Sequence, residues 1–200
     1  MNNMSGFVGS VFLLFWACAV IASDIEYEDE LKVINGCRIV EKTECVGGDL
    51  RNADLRHATL TQANLERADL RNADLTRADI RNANLRLADL RGAKLEAVQA
   101  WAAFLQGAKL DGANLRGGNF EFARFSGAKL LNADMRSANF EMVWFPKADL
   151  QGADLRNANI QEAKFYGANL SEANLEGVLK RFAIFEGTIM EDCTACPLSW

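Results

Sequence analysis

The chain has 200 residues, 50% of them hydrophobic and 24% charged, which suffices for one domain with a sizeable core. Its 2 Pro and 15 Gly exclude a collagen-like or Pro/Gly-rich disordered chain. With 22 basic against 27 acidic residues, the formal charge of -5 is too slight for a solvating acidic tail and of the wrong sign for general nucleic-acid binding.

Residues 1–22 read as a secretory signal peptide. Phe7 to Ala22 form a nearly unbroken apolar run ahead of Asp24. A run of about 16 residues is short for a bilayer span, which needs roughly 20. Val20-Ile21-Ala22 offers a cleavage site before Ser23. Met1 to Gly6 contain no Lys or Arg, so the positive charge before the run comes only from the terminal amine, and an uncleaved anchor is the alternative. A lipoprotein site at Cys18 fits poorly, because Phe15-Trp16-Ala17-Cys18 lacks the expected pattern. Removal leaves no stable membrane span and directs the chain to a periplasmic, luminal or extracellular space.

Export changes the meaning of the cysteines. Cys37 and Cys45 fall in an N-terminal cap, 23–46, and Cys193 and Cys196 in a shorter C-terminal cap, 191–200. Four cysteines in an oxidising compartment suggest disulfides; Cys37–Cys45 and Cys193–Cys196 are the local pairings among three formal connectivities. A redox dithiol or metal half-site at Cys193-Thr-Ala-Cys196 is the competing reading. It is weak, since no second Cys-x-x-Cys follows and the one histidine, His57, is far off in sequence.

Between the caps, residues 47–190 repeat every five. The 29 positions from Leu50 to Met190 in steps of five hold 17 Leu, 6 Phe, 2 Ile and 2 Met, with Ala100 and Lys180 as exceptions. Two residues before each lies a small register, Ala at 23 of the 28 positions from Ala53 to Thr188. Neither a helix nor an uninterrupted strand generates a period of five, so this is a repeat architecture. Ala53-Asp54-Leu55 alternates in, out, in, the pleat of a very short strand, and Arg56-His57 turn the corner. Each pentad is one flat side of a polygon. Gly occupies the second corner position nine times, from Gly92 to Gly187, where positive φ suits a tight turn. Phe120 with Phe140, Phe125 with Phe145, and Phe145 with Phe165 are each 20 apart, which favours four sides per turn and stacked rings.

The Ala-(Asp/Asn)-Leu-x-x pattern, continuous through Ala68-Asp-Leu-Arg-Asn-Ala-Asp-Leu-Thr-Arg77, resembles the pentapeptide-repeat family. The resemblance implies an all-β fold, a right-handed quadrilateral parallel β-helix, with both apolar registers inside. With 29 pentads this gives about seven coils and a rod roughly 35 Å long. Its interior is too narrow for a substrate, and its open ends need the caps.

Chemistry for an enzyme is lacking: there is no Gly-x-Ser-x-Gly or zinc motif, His57 occupies an outward corner, and no cofactor or metal is expected. Asp54, Asp69, Asp74, Asn84 and Asp154 recur too regularly for acid/base groups and are expected to bond the backbone at the turns. The family resemblance also implies an alternative, since some cytoplasmic members mimic DNA and bind type II topoisomerases, conferring quinolone resistance. Such mimicry needs a strongly negative rod, whereas residues 47–190 carry 19 basic and 18 acidic side chains. Arg51, Arg71 and Arg91 on one corner, and Arg116, Arg136 and Arg156 on another, are expected to interleave with the Asp rows. Among large apolar residues in outward slots, Trp101, Phe104, Phe122, Met142, Trp144, Phe182 and Ile184 share one side, a candidate interface for an unknown protein partner or self-association. The alternative is self-coverage: bulges at Ala100 and Lys180 that turn Trp101 and Leu179 inward, or a cap folded over the stripe. The reading is an exported, non-enzymatic solenoid acting as a binding or structural scaffold.

Overall fold

The computed structural model describes residues 32–197, so the expected signal peptide and residues 23–31 lie outside the described residues. From Glu44 onward one five-residue unit recurs, and the hydrogen-bond accounting of a single unit explains its composition. In Asp69-Leu70-Arg71-Asn72-Ala73, the Asp69 N–H donates to the Gly48 carbonyl of the preceding coil (2.9 Å) and the Leu70 N–H to the Asp89 carbonyl of the following one (2.8 Å). The Asn72 N–H also reaches forward, to the Arg91 carbonyl (3.1 Å), and the Ala73 N–H closes a turn onto the Leu70 carbonyl (3.0 Å). The remaining donor, the Arg71 N–H, finds the Asp69 carboxylate at 3.3 Å. Every N–H of the unit is thus satisfied, the last one because an Asp or Asn stands mid-wall. The same bond forms at Asp54, Asp74, Asn84 and Asp154.

The second corner residue is left-handed whether or not it is glycine: φ is 57° at Asn72, 58° at His57 and 67° at Gly92. Combined with the bond closing each corner, this is the geometry of a type II turn. Isolated parallel bridges join mid-wall residues twenty apart, from Glu44–Asn64 through Asp54–Asp74 to Asn174–Thr194, so four walls close one turn. Each wall gives the ladder a single bridged residue, shorter even than the brief strand its in-out-in alternation suggests. The strands among the described residues are therefore β1 (Val33–Ile34) and β2 (Cys37–Arg38), an antiparallel hairpin of the N-terminal cap with Ile34 opposite Cys37.

The shaft is filled. Leu and Ala of both registers are fully buried from Leu60 to Leu130, each Leu contributing on the order of 1.5–3 kcal/mol relative to exposure. The phenylalanines form two adjacent internal stacks: Phe120 on Phe140 (5.1 Å between centroids), and Phe125 on Phe145 (5.1 Å), Phe145 on Phe165 (4.9 Å) and Phe165 on Phe185 (5.0 Å). Neighbouring columns touch edge-on, as between Phe120 and Phe125 (5.7 Å).

The bulges offered as an alternative are absent at both interruptions of the large register. Ala100 is fully buried and in step, flanked by the Gln99–Asn119 bridge, and Trp101 stays outside at 40% exposure. Lys180 stands in the last described coil of its column and is exposed among the described residues, and its Nζ donates to the Ala195 carbonyl (3.1 Å); Leu179 remains 59% exposed. A small residue below the Phe120 ring and a polar one at the open end need no change of register.

Candidate binding face

One wall departs from the pattern of the others. Its middle residues run Asn84, Phe104, Arg124, Trp144, Lys164, Ile184, each bridged to the next. All seven apolar residues singled out from the sequence meet here. Phe104, Trp144 and Ile184 stand mid-wall; Trp101, Phe122, Met142 and Phe182 stand on the corner leading into it. Trp144 is 50% exposed and Phe182 66%, while Phe104, Met142 and Ile184 are half-buried. Trp101 meets Phe122 of the next coil edge-on at 5.8 Å.

Phe104 is gripped by cations. The Arg86 guanidinium, from the coil below, lies 4.5 Å from its ring centroid, and that of Arg124, from the coil above, 5.3 Å. Elsewhere most arginines are matched by carboxylates, Arg38, Arg77, Arg116 and Arg181 having none within 4.0 Å among the described residues. Arg51, Arg56, Arg71, Arg81, Arg91, Arg136 and Arg156 each fork onto the Asp two residues earlier at 2.6–2.7 Å. Arg51, Arg71 and Arg136 also reach the Asp of the next coil at 3.6–3.9 Å. This is the interleaving expected of the Arg columns, Arg116 excepted. Neither Arg86 nor Arg124 has a carboxylate within 4.0 Å among the described residues; Arg86 donates to Asn84 Oδ1 at 3.2 Å.

The forked pairs shape the electrostatics. Hydrogen bonding from the Arg51 side chain, with help from its backbone N–H, holds the Asp49 carboxyl down at about 2. The side-chain bond from the paired arginine is also the leading cause that lowers Asp69, Asp79, Asp89, Asp134 and Asp154. These carboxylates are ionised and matched, so they do not act as rows of acid/base groups.

The gripped wall also breaks the turn chemistry. From Phe104 to Ile184 no Asp or Asn stands mid-wall, and the N–H groups of Gln106, Ser126 and Tyr166 have no acceptor among the described residues. Pro146, after Trp144, has no N–H to satisfy and pre-sets φ for its corner. Gln106, Arg124, Ser126 and Trp144 line a depression of about 380 Å³, and Gln106 Oε1 is buried without a hydrogen-bond partner among the described residues. Sequence reasoning found the aromatics but missed the free donors, whose signal was the lapse of Asp/Asn at Phe104, Arg124, Trp144 and Lys164.

The family model for pentapeptide repeats matches eight copies over residues 48–86, 103–141 and 145–178, more than half of the chain. The chain belongs to the pentapeptide-repeat family. Members fold as right-handed quadrilateral β-helices and are generally structural or binding proteins rather than enzymes. Similar solved structures include HetL, a pentapeptide-repeat protein involved in heterocyst differentiation regulation from the cyanobacterium Nostoc. It shares 30% identity over 76% of this chain and 89% of its own, with a TM-score of 0.34. A pentapeptide-repeat protein from the Arabidopsis thaliana thylakoid lumen shares 32% identity over 43% of this chain and 60% of its own (TM-score 0.42). QnrB1, a plasmid-mediated fluoroquinolone resistance protein, shares 16% over 72% of this chain and 89% of its own (TM-score 0.37). No curated protein matches the chain.

The remaining candidate residues of this pentapeptide-repeat chain sit at its ends. Cys37 and Cys45 bring their sulfurs into direct contact with Cα atoms 5.6 Å apart, and Cys193 and Cys196 do so at 5.8 Å, within the span that a disulfide bridges. Gly48 stands where the small register would place Ala, because a Cβ there would lie 2.6 Å from Cys45 Sγ. His57 is on an exposed corner. Among the described residues no three His, Cys, Asp or Glu could together hold a metal ion, and no helix is long and apolar enough to cross a membrane.

Proposed function

We propose that the chain works outside the cytoplasm as a rigid, non-enzymatic rod that presents the Phe104–Trp144 wall to a partner. One observation carries this reading: the shaft is solid with Leu, Ala and Phe, so recognition is left to the outer walls, and only this wall combines half-exposed aromatics with unpaired cations among the described residues. Export rests on the apolar run Phe7 to Ala22 and the small-residue site before Ser23. In an oxidising space the Cys37–Cys45 and Cys193–Cys196 pairs form disulfides that tie down both caps. Matched Arg–Asp pairs along the other walls leave no extended negative surface, which argues against a topoisomerase-directed DNA mimic.

N-terminal sequencing of the chain recovered from its native envelope tests the location: a start at Ser23 is expected, and a start at Met1 would refute signal removal. The double variant Phe122→Ser, Trp144→Ser tests the wall. It is expected to keep its melting temperature while losing partner capture or self-association; unfolding would mean that these rings belong to the core.

A further inference from the structure

The gripped wall has a chemical period of two coils. Mid-wall cations Arg124 and Lys164 alternate with the apolar Phe104, Trp144 and Ile184, so each kind recurs about every 10 Å along the rod, and Arg86 adds a cation on the exit corner beside Asn84. That length is close to one disaccharide of an extended β-linked glycan. Among the described residues the cations have no carboxylate partner and, in the case of Arg86 and Arg124, are fixed by the Phe104 ring. The N–H groups of Gln106 and Ser126 are without acceptors, and Gln106 Oε1 is a buried acceptor without a donor, among the described residues.

From this juxtaposition we infer that the wall binds a linear acidic polysaccharide in which neutral and carboxylate-bearing sugars alternate. Where an Asp stands mid-wall two residues before an Arg, it accepts both that N–H and the guanidinium fork, as Asp134 does for Arg136. At the Trp144 depression no such Asp exists, and a ligand carboxylate takes its place, accepting from the Ser126 N–H and the Arg124 guanidinium. The apolar face of the neighbouring neutral ring stacks on the half-exposed Trp144.

Other occupants fit less well. A peptide strand cannot extend the sheet here, because the wall's own ladder already takes Trp144 N–H to the Ala123 carbonyl and Phe125 N–H to the Trp144 carbonyl. A nucleic acid brings a phosphate per nucleotide, against the Glu121, Glu141 and Glu162 side chains on the adjoining corner. Sparse carboxylates suit sparse cations.

The inference rests on the export reading for its biological setting, but the test does not. Full-length protein is run through native gels containing hyaluronan, in which neutral and acidic sugars alternate, with neutral hydroxyethylcellulose, polyglutamate and single-stranded DNA as comparators. Retardation by hyaluronan is expected, with Trp144→Ala and Arg124→Gln each weakening it about tenfold or more. Circular dichroism is expected to be unchanged, since both side chains face outward. Absence of retardation by hyaluronan, equal retardation by polyglutamate or DNA, or full retention of binding by both variants would overturn the inference. A chain that ignores hyaluronan yet begins at Ser23 and loses its partner in the Phe122→Ser, Trp144→Ser variant would overturn this inference alone and leave the scaffold reading standing.

Discussion

Gly118 lies beneath the ring of Phe120: a Cβ on Gly118 would come within 2.6 Å of Phe120 Cε2 and 3.1 Å of Val98 Cγ1. The small register, otherwise dominated by Ala, gives up its methyl where the first Phe of the internal stack enters. Gly118→Ala is therefore expected to cost about 1–3 kcal/mol, measured by urea denaturation. Phe120→Leu in the same background should relieve part of that cost, since the two side chains compete for one volume. Additive single and double variants would refute the coupling.

Gly112 illustrates a different need for glycine. A Cβ placed on it would have no atom within 4 Å, yet its φ is +65°. Gly112→Ala should cost about 1 kcal/mol through backbone strain alone, and Gly112→Asn less, because Asn tolerates the left-handed region. Equal melting temperatures for all three chains would show that these corners are not strained.

Acid should loosen the rod. The paired carboxylates have folded pKa values below the unfolded value, about 2 at Asp49, so their stabilisation is present above about pH 4 and is lost as pH falls from there towards 2. Thermal melting is expected to be flat from pH 7 to about 5 and to drop below about 4. Asp154→Asn keeps an acceptor for the Arg156 N–H but removes the ion pair, which is a modest change of up to about 1 kcal/mol. Asp154→Ala also orphans the N–H and should lose about 1 kcal/mol more.

The two populations of aromatics should separate cleanly. Phe140 is fully buried between Phe120 and its neighbours, and Phe140→Ala is expected to cost about 3–5 kcal/mol. Phe182, 66% exposed, should tolerate Phe182→Ala within about 0.5 kcal/mol. A large loss at Phe182 would indicate that the open end is covered in solution.

Oxidation of the caps can be read by thiol titration of the unfolded, unreduced chain. Of its 5 cysteines, Cys37, Cys45, Cys193 and Cys196 are expected to be silent. Cys37→Ser with Cys45→Ser should lower stability by about 2–3 kcal/mol, the effect of an eight-residue loop. Four reactive thiols at these positions would refute the bridges.

How much of this was legible depends on how local the cause is. The five-residue period, the inward Ala and Leu, and the role of mid-wall Asp and Asn were readable because each answers to a constraint met within one pentad. The Phe120–Phe140 spacing revealed the four-walled turn because stacked rings record which residues lie one coil apart. Whether Ala100 and Lys180 cause bulges stayed open for the opposite reason: a lone sequence shows the interruption of a register but not whether the shaft can absorb a smaller or terminal side chain in place.

Periodic apolar volume admits only one way to bury itself, so the solid shaft, the corners and the gathering of aromatics on one wall follow from the order of residues. Which arginines reach Phe104 depended on the winding of the chain. Arg71 stands on a corner two residues after Asp69, whereas Arg124 stands mid-wall with Phe104 on the coil below. The Arg–Asp forks are local, but the grip on Phe104 depends on neighbours across coils, and those distances exist only once the coils have stacked.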